Sequence, residues 1–242
     1  MANLLIEIGN TALKAAWSEG MTLGKTFRYQ GEKKTEFILS LIEKEMPSVM
    51  VVASVYEIPA QEERKLRRAC PRLLVLDPLH TDLLQEYGMP SYLTFDRAAA
   101  LVGARYLFKG KGCTLFDFGT TLTADFLSPE GEYEGGVVSL GCRTRFKAIG
   151  RYSRALPTVN IPDNPALTGT STISSIEAGV ISGIMFEIQG HIDSRPGNIV
   201  VFTGGDAIYF AKRMKNSIFV VCNLVLMGLA LITDEYVRKN IQ

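Results

Sequence analysis

The sequence predicts an α/β protein made of two similar domains, each built around a mixed β-sheet. A pattern of apolar strand, carboxylate, glycine turn and second strand opens the chain at Leu4–Lys14 and returns at Leu115–Asp125. After each occurrence, short apolar runs alternate with segments of helical spacing, as in a mixed sheet covered by helices. Gly110–Gly112 lies just before the second occurrence and marks the boundary between domains of residues 1–111 and 112–242.

Composition restricts the class of protein. Of the 242 residues, 47% are hydrophobic and 21% are charged, as in ordinary globular proteins. The net charge of +1 provides no long-range attraction to nucleic acid or to an anionic membrane surface. The most apolar late segment, Ile218–Ile232, is interrupted by Asn223 and Gly228 and is too short to span a bilayer. We therefore expect no nucleic-acid partner and no membrane partner.

The cysteines indicate the redox environment. Cys70, Cys113, Cys142 and Cys222 are far apart in the sequence and form no CxxC pair. Each lies in or beside an apolar run, which predicts buried thiols rather than a disulfide framework. A reducing compartment suits such thiols, and the N-terminus does not resemble a signal peptide, so we expect a cytoplasmic protein.

The first predicted domain opens with an antiparallel meander. Gly9-Asn10 supplies its first turn, because both residues tolerate positive φ. The predicted strands are Asn3–Ile8, Thr11–Trp17, Gly24–Tyr29, Val49–Ser54 and Leu73–Leu76. The predicted helices, from apolar residues at helical spacing or from a capping residue, are Thr35–Glu45, Pro59–Cys70 and Phe95–Phe108.

The second predicted domain repeats the meander and then alternates helix and strand. A proline-containing segment without periodicity, Pro157–Thr170, is predicted to be a loop. The long helix that follows is capped by Ser171 or Thr172 and extends to Asp193. The predicted strands are Cys113–Phe118, Leu122–Leu127, Tyr133–Ser139, Asn198–Thr203 and Ile218–Val221. Further helices are predicted at Gly141–Arg154, after Asp206, and at Cys222–Lys239.

Paired glycine turns indicate phosphate binding. At Gly9 and Gly119 no Cβ prevents phosphate oxygens from approaching the backbone N–H groups. Glu7 and Asp117 lie beside these turns, where they would repel phosphate unless a cation lay between them. Either turn alone is typical of an ordinary hairpin, whereas the pair favours a phosphate site. A third glycine turn, Thr203–Asp206, precedes a helix and suits nucleotide contact.

Phosphoryl transfer also requires a carboxylate that orients or deprotonates the acceptor hydroxyl. Asp96 is our candidate, and Arg97 beside it could hold an acidic acceptor through paired hydrogen bonds. Simpler interpretations stay open at this point. Asp96 is also favourable in the first turn of any helix, and Asp117 could be a solvated strand end.

Five short motifs together resemble type III pantothenate kinases over nearly the whole chain. The motifs are Ile6–Thr11, Thr94–Arg97, Asp117–Asp125, Gly135–Gly141 and Thr203–Asp206. That family belongs to the superfamily of acetate kinase, sugar kinases, Hsc70 and actin. The resemblance therefore implies two domains of the ribonuclease H-like/actin-like ATPase fold.

The resemblance also implies an activity and its requirements. The expected reaction is ATP-dependent phosphorylation of pantothenate to 4′-phosphopantothenate, the first step of coenzyme A biosynthesis. The resemblance implies a homodimer with the pantothenate site at the subunit interface. It implies a need for Mg²⁺ and for K⁺ or NH₄⁺.

Site residues follow from the resemblance position by position. Asp96 would be the general base, Asp117 would bind the monovalent cation, and Thr120 would contact ATP. The remaining ATP-binding residues would be Glu7, Ile8, Gly9, Asn10, Thr11, Ala12, Leu13 and Lys14. Pantothenate would contact Tyr87, Thr94, Phe95, Asp96, Arg97 and Thr172, the last being equally a candidate for a helix cap.

Four positions depart from the family pattern. The family has Asp at Glu7, Gly at Thr94, Asn at Met89 and Pro at Leu140. The extra methylene of Glu7 moves its carboxylate by about 1 Å, enough to misplace a bound cation. Two alternatives therefore stay open: a non-catalytic relative with a regulatory or accessory role, and a kinase for another small hydroxy acid.

Overall fold

A computed structural model describes residues 2–240 and contains two compact units. The first unit comprises Met1–Leu107 with Asn223–Gln242, and the second comprises Phe108–Cys222. Each unit has its own five-stranded mixed sheet and its own hydrophobic core. The predicted α/β class, with two similar mixed sheets, is confirmed.

The sheet of the first unit is ordered β3-β2-β1-β4-β5. Its strands are β1 (Asn3–Ile8), β2 (Leu13–Glu19), β3 (Thr22–Tyr29), β4 (Met50–Ser54) and β5 (Leu73–Leu76). Strand β1 is central, antiparallel to β2 and parallel to β4, and is buried throughout. Burial on both faces explains why this strand is apolar rather than alternating. The helices are α1 (Lys34–Leu41), α2 (Ala60–Ala69), α3 (Asp82–Glu86) and α4 (Phe95–Leu107).

The second unit repeats this arrangement, with the sheet order β10-β9-β6-β7-β8. Its strands are β6 (Cys113–Phe118), β7 (Thr121–Leu127), β8 (Tyr133–Leu140), β9 (Ile199–Gly204) and β10 (Ile218–Val220). Its helices are α5 (Cys142–Tyr152), α6 (Thr172–Asp193) and α7 (Ala207–Ala211). In both units the first strand pairs antiparallel with the second and parallel with the fourth. The duplication inferred from the two glycine turns is therefore confirmed.

The last helix, α8 (Leu224–Asn240), packs against α4 in the first unit. Two glycines permit this close approach. A Cβ on Gly228 would overlap the carbonyl group of Ala99, and a Cβ on Gly103 would lie 2.9 Å from the side chain of Leu224. The sequence assigned this helix to the domain of residues 112–242, whereas contacts in the structure group it with the first unit.

An aromatic cluster fixes the end of β6 in the second unit. The ring centroid of Phe118 lies 4.8 Å from that of Phe202 on β9 and 5.2 Å from that of Phe210 on α7. Phe116 joins the cluster from the same strand, and its side chain is fully buried. Contacts of this kind add to the stabilisation that burial alone gives. The strand end that carries Asp117 is therefore held by a rigid core.

Several predicted details differ from the structure. Strand β2 begins at Leu13 rather than Thr11, which leaves Thr11 in the turn. Helix α3 was not predicted, because its five residues are too few to show a period. Cys222 is exposed, so the prediction that all four thiols are buried is wrong at this position. Among residues 2–240, no helix is long and apolar enough to cross a membrane.

Replacement of Gly228 by Ala tests the contact between α4 and α8. The added Cβ has no room beside Ala99, so we expect the free energy of unfolding of Gly228→Ala to fall by about 1–3 kcal/mol. The matched control is Gly179→Ala in α6, where no atom lies within 4 Å of the new Cβ. That control should gain about 0.5–1 kcal/mol from higher helix propensity. Urea unfolding measures both, and equal effects of the two substitutions would contradict the close contact.

Candidate active site

The predicted phosphate loop of the first unit is a continuous strand–turn–strand. The N–H of Gly9 donates to the carbonyl oxygen of Ala12 at 3.0 Å, which closes the turn between β1 and β2. Glu7 and Lys14 are direct partners across the two strands. The eight predicted ATP-binding residues Glu7–Lys14 thus lie in one hairpin. This hairpin places the carboxylate of Glu7 beside the ammonium group of Lys14 at the end of the central strand β1.

Glu7 interacts electrostatically with Lys14 and with Asp96 in the first unit. The Nζ atom of Lys14 lies 3.4 Å from Oε2 of Glu7, and only 9% of Glu7 is exposed. Burial raises the pKa of the Glu7 carboxyl above its usual value; the charge of Lys14 opposes this and the charge of Asp96 adds to it. Additional positive charge beside Glu7 would therefore stabilise its ionised form. The structure thus brings the predicted base, Asp96, into the electrostatic environment of the predicted phosphate loop.

Asp96 is held in place by its own helix start. It lies in the first turn of α4, where Oδ1 accepts a hydrogen bond from the N–H of Arg97 at 2.8 Å. Phe95 is buried and anchors this turn in the core of the unit. The N–H of Ala98 donates to the carbonyl oxygen of Thr94, so the predicted substrate loop Thr94–Arg97 runs directly into the helix.

Tyr87 ends the short helix α3 in the same unit. Its hydroxyl donates to Oε2 of Glu235 on α8 at 2.7 Å. Its carbonyl oxygen accepts from Nη1 of Arg105 on α4 at 3.0 Å. The sequence resemblance indicates Tyr87 but not Glu235, which lies 148 positions further along the chain.

The second unit forms an equivalent glycine turn, which is held by residues at the start of α5. The N–H of Gly119 donates to the carbonyl oxygen of Thr121 at 3.0 Å. The carbonyl oxygen of Thr120 accepts from the N–H of Gly141 at 3.0 Å and from the hydroxyl of Thr144 at 2.7 Å. A side chain at Gly141 would overlap the carbonyl oxygen of Gly119. The start of α5 therefore holds the turn that carries Thr120, the predicted ATP contact.

The end of β9 packs against Asp117. Gly204 has φ +92°, a conformation that favours glycine, and a Cβ there would collide with the Asp117 carboxylate and lie 2.6 Å from the N–H nitrogen of Phe118. The N–H of Gly205 then donates to the carbonyl oxygen of Phe118 at 2.8 Å. Asp206 follows, and burial raises the pKa of its carboxyl, with the charge of Arg143 opposing the shift. The predicted cation ligand and the third glycine turn are therefore adjacent.

Thr172 occupies the exposed first position of α6. Ser171 is the N-cap: its hydroxyl accepts from the N–H of Ser174, and the hydroxyl of Ser174 accepts from the N–H of Ser171. This reciprocal capping box leaves Thr172 outside the cap. Of the two roles considered for Thr172, the structure assigns the cap to its neighbour.

The carboxylates beside the glycine turns are suited to a cation that is bound by carboxylate and phosphate oxygens together. In the part of the chain that the structure describes, no group of three or more His, Cys, Asp or Glu side chains could hold a metal ion. Glu7 and Asp117 each place a carboxylate beside a glycine turn. Mg²⁺ is commonly bound through one or two carboxylates together with phosphate and water oxygens, so either carboxylate alone could hold a hard cation in this way.

Comparison with known proteins identifies the family. A sequence model of type III pantothenate kinases matches residues 3–194. The chain belongs to the type III pantothenate kinase family. The type III pantothenate kinase of Cytophaga hutchinsonii is 36% identical over 233 residues, which cover 94% of this chain and 96% of that protein.

Solved structures agree with the fold expected of a type III pantothenate kinase. A Baf family transcriptional activator from Campylobacter jejuni, as its structure is described, superposes with a TM-score of 0.66 at 20% identity, covering 97% of this chain and 99% of that chain. The activator of 2-hydroxyisocaproyl-CoA dehydratase from Clostridium difficile, solved with bound ADPNP, has a TM-score of 0.59 at 14% identity, covering 100% and 97%. These likenesses concern the fold, and they confirm the predicted ribonuclease H-like/actin-like ATPase class.

Substitution of Gly204 tests the packing around Asp117. Ala at this position must adopt a strained φ and displace the Asp117 carboxylate, so Gly204→Ala should lose about 2–4 kcal/mol of stability. The matched control is Gly205→Ala, whose new Cβ would have its nearest neighbour 3.9 Å away. Thermal unfolding of the two variants should separate them by several degrees. Equal melting temperatures would show that the glycine at 204 is dispensable.

Proposed function

We propose that this chain transfers the γ-phosphoryl group of ATP to a hydroxyl of pantothenate and so makes 4′-phosphopantothenate, the first step of coenzyme A biosynthesis. The observation that carries the proposal is the ion pair of Glu7 and Lys14 beside the glycine turn at the end of β1, where the charge of Asp96 also acts on the Glu7 carboxyl. It combines a glycine turn for phosphate, a cationic side chain and a candidate base within one unit. Membership of the type III pantothenate kinase family supports the same reaction.

We assign the role of proton acceptor to Asp96. As the acceptor oxygen forms its bond to the γ-phosphorus, the hydroxyl proton passes to the Asp96 carboxylate. The bond between the γ-phosphorus and the bridging oxygen breaks, and ADP keeps that electron pair. The hydrogen bond from the N–H of Arg97 fixes the orientation of the carboxylate before the substrate arrives. The guanidinium of Arg97 is suited to the carboxylate of pantothenate.

We assign the ATP phosphates to the Glu7–Lys14 hairpin, and Thr120 is a further predicted contact of ATP. Backbone N–H groups of the glycine turn offer partial positive charges to the phosphates. The ammonium group of Lys14 offers a full positive charge. We assign Mg²⁺ to the neighbourhood of Glu7, and K⁺ or NH₄⁺ to Asp117. Such cations neutralise charge on the phosphates and on these carboxylates. The raised pKa of Glu7 supports the first assignment, because a buried carboxylate gains most from an added cation.

We further propose a homodimer whose pantothenate site includes Thr172 at the subunit interface. Large apolar side chains exposed in the second unit support this, since an interface would bury them: Ile173 is 52% exposed, Val138 58% and Phe186 72%. Sedimentation equilibrium measures the mass, and a monomer at micromolar concentration would contradict the dimer.

A cytoplasmic location and the lack of nucleic-acid or membrane partners remain part of the proposal, supported by the net charge of +1 and the three buried thiols.

Replacement of Asp96 by Asn tests the chemistry. We expect pantothenate-dependent ADP release to fall about 10²–10⁴-fold, because the amide cannot accept the proton. The melting temperature and ATP binding should be unchanged, since the amide oxygen still accepts from the N–H of Arg97. The matched control is Asp82→Asn, which changes a first-turn aspartate of α3 and should retain full activity. An active Asp96→Asn variant would remove Asp96 from the role of base.

The same assay tests the wild-type protein against the alternatives. ADP release is measured in saturating Mg²⁺ and K⁺, with and without pantothenate. ATP binding without turnover would favour a non-catalytic relative. Turnover that depends on another small hydroxy acid, and not on pantothenate, would identify a kinase with a different acceptor.

A further inference from the structure

We propose that Glu235 is a positioning residue that makes the hydroxyl of Tyr87 a hydrogen-bond acceptor toward the phosphoryl-acceptor substrate. The proposal rests on the proposed function, because it takes Tyr87 to be a contact of pantothenate. Glu235 lies on α8, and none of the motifs that indicated the active site includes it. The hydrogen bonds around Tyr87 indicate its role.

The direction of the bond between Tyr87 and Glu235 is set by the number of available protons. The two oxygen atoms are 2.7 Å apart, as expected for a hydroxyl that donates to a carboxylate. A phenol has a single proton to donate. While this proton is directed at Glu235, the Tyr87 oxygen offers only lone pairs to a ligand.

Glu235 is held in the ionised state that this arrangement requires. The Nζ atom of Lys239 lies 2.8 Å from Oε1 of Glu235, one helical turn away, and 3.1 Å from Oε2 of Glu86. The hydrogen bonds from Lys239 and Tyr87 keep the pKa of Glu235 below its usual value. An ionised carboxylate accepts hydrogen bonds and donates none, so the polarity of the pair cannot reverse at neutral pH.

Tyr87 is also fixed at its main chain. Nη1 of Arg105 donates to its carbonyl oxygen, so α4 holds the backbone while α8 holds the hydroxyl. Burial raises the pKa of the Tyr87 phenol, and the charges of Glu235 and Glu86 raise it further, against a lowering effect of Arg238. The phenol therefore stays protonated and keeps one orientation.

Because the Tyr87 hydroxyl donates to Glu235, only some groups of pantothenate can form a hydrogen bond with the Tyr87 oxygen. Pantothenate has hydroxyl and amide N–H groups, which donate hydrogen bonds, and a carboxylate, which only accepts them. The Tyr87 oxygen can accept from the first two kinds of group and is mismatched to the third. Tyr87 is half-buried, so a substrate carboxylate placed against its oxygen would lose hydrogen bonds to water without gaining one. The carboxylate is then left to Arg97, and the substrate has one favoured direction in the site.

The test compares steady-state kinetics of Glu235→Ala, Glu235→Gln and Tyr87→Phe in the full-length protein. We expect Glu235→Ala to raise the KM for pantothenate about 5–20-fold, the effect of losing one charge-assisted hydrogen bond. The kcat should stay within about twofold, as expected when a binding contact is lost, and the KM for ATP should not change. Glu235→Gln should recover most of the affinity, because its amide oxygen can accept the same hydrogen bond.

A double-mutant cycle distinguishes action through Tyr87 from a general effect on α8. In the Tyr87→Phe background, Glu235→Ala should have no further effect on the KM for pantothenate. The matched control is Asp234→Asn, which removes the neighbouring carboxylate paired with Arg238 at 3.2 Å and should leave the kinetics unchanged. Additive effects in the cycle, or an equal rise in the KM for ATP, would overturn the proposal.

Turnover by the wild-type protein distinguishes failure of the positioning role of Glu235 from failure of the proposed function. If the wild-type protein does not phosphorylate pantothenate, the proposed function itself fails. If the wild-type protein is active and Glu235→Ala has an unchanged KM at an unchanged melting temperature, only the positioning role of Glu235 is rejected.

Discussion

The first unit depends on one backbone contact, where Gly228 of α8 lies against the carbonyl group of Ala99 in α4. No side chain fits between the two helices there, so their separation is fixed by main-chain atoms. Helix α4 carries Asp96 at its first turn and Arg105 near its end. Helix α8 carries Glu235, and both helices hold Tyr87. A single helix pair thus determines where the candidate base and a predicted substrate contact lie.

The two units show how a duplicated strand–turn–strand can acquire different tasks. Both turns begin with a glycine, and its N–H donates to a carbonyl oxygen two or three residues later: Gly9 to Ala12 and Gly119 to Thr121. In the first unit the neighbouring side chains are ionisable, and burial leaves Glu7 with a raised pKa. In the second unit the turn is fixed by backbone and hydroxyl groups at the start of α5. An ion pair lies beside the first turn, whereas the second turn has the carboxylate of Asp117 beside it and is held by the start of α5.

Much of the fold could be predicted because its signals are local. The buried strand β1, the paired glycine turns and the helix that starts at Phe95 all depend on residues close together in the sequence. Contacts between distant residues could not be predicted. The apolar face of α8 shows that this helix is packed, but a periodic pattern does not reveal which unit receives it. The bond from Tyr87 to Glu235 joins residues 148 positions apart, and no motif marks either end as a partner of the other.

The return of α8 to the first unit also determines the order in which the chain can finish folding during synthesis. Phe108–Cys222 is a continuous segment, so the second unit has all of its residues as soon as Cys222 leaves the ribosome. All five strands of the first unit have been synthesised by then, but the helix that packs against α4 has not. Its small-residue surface around Ala99 and Gly103 therefore stays open to solvent until translation of residues 223–240. The half of the protein that is translated first therefore depends for its completion on residues that are translated last.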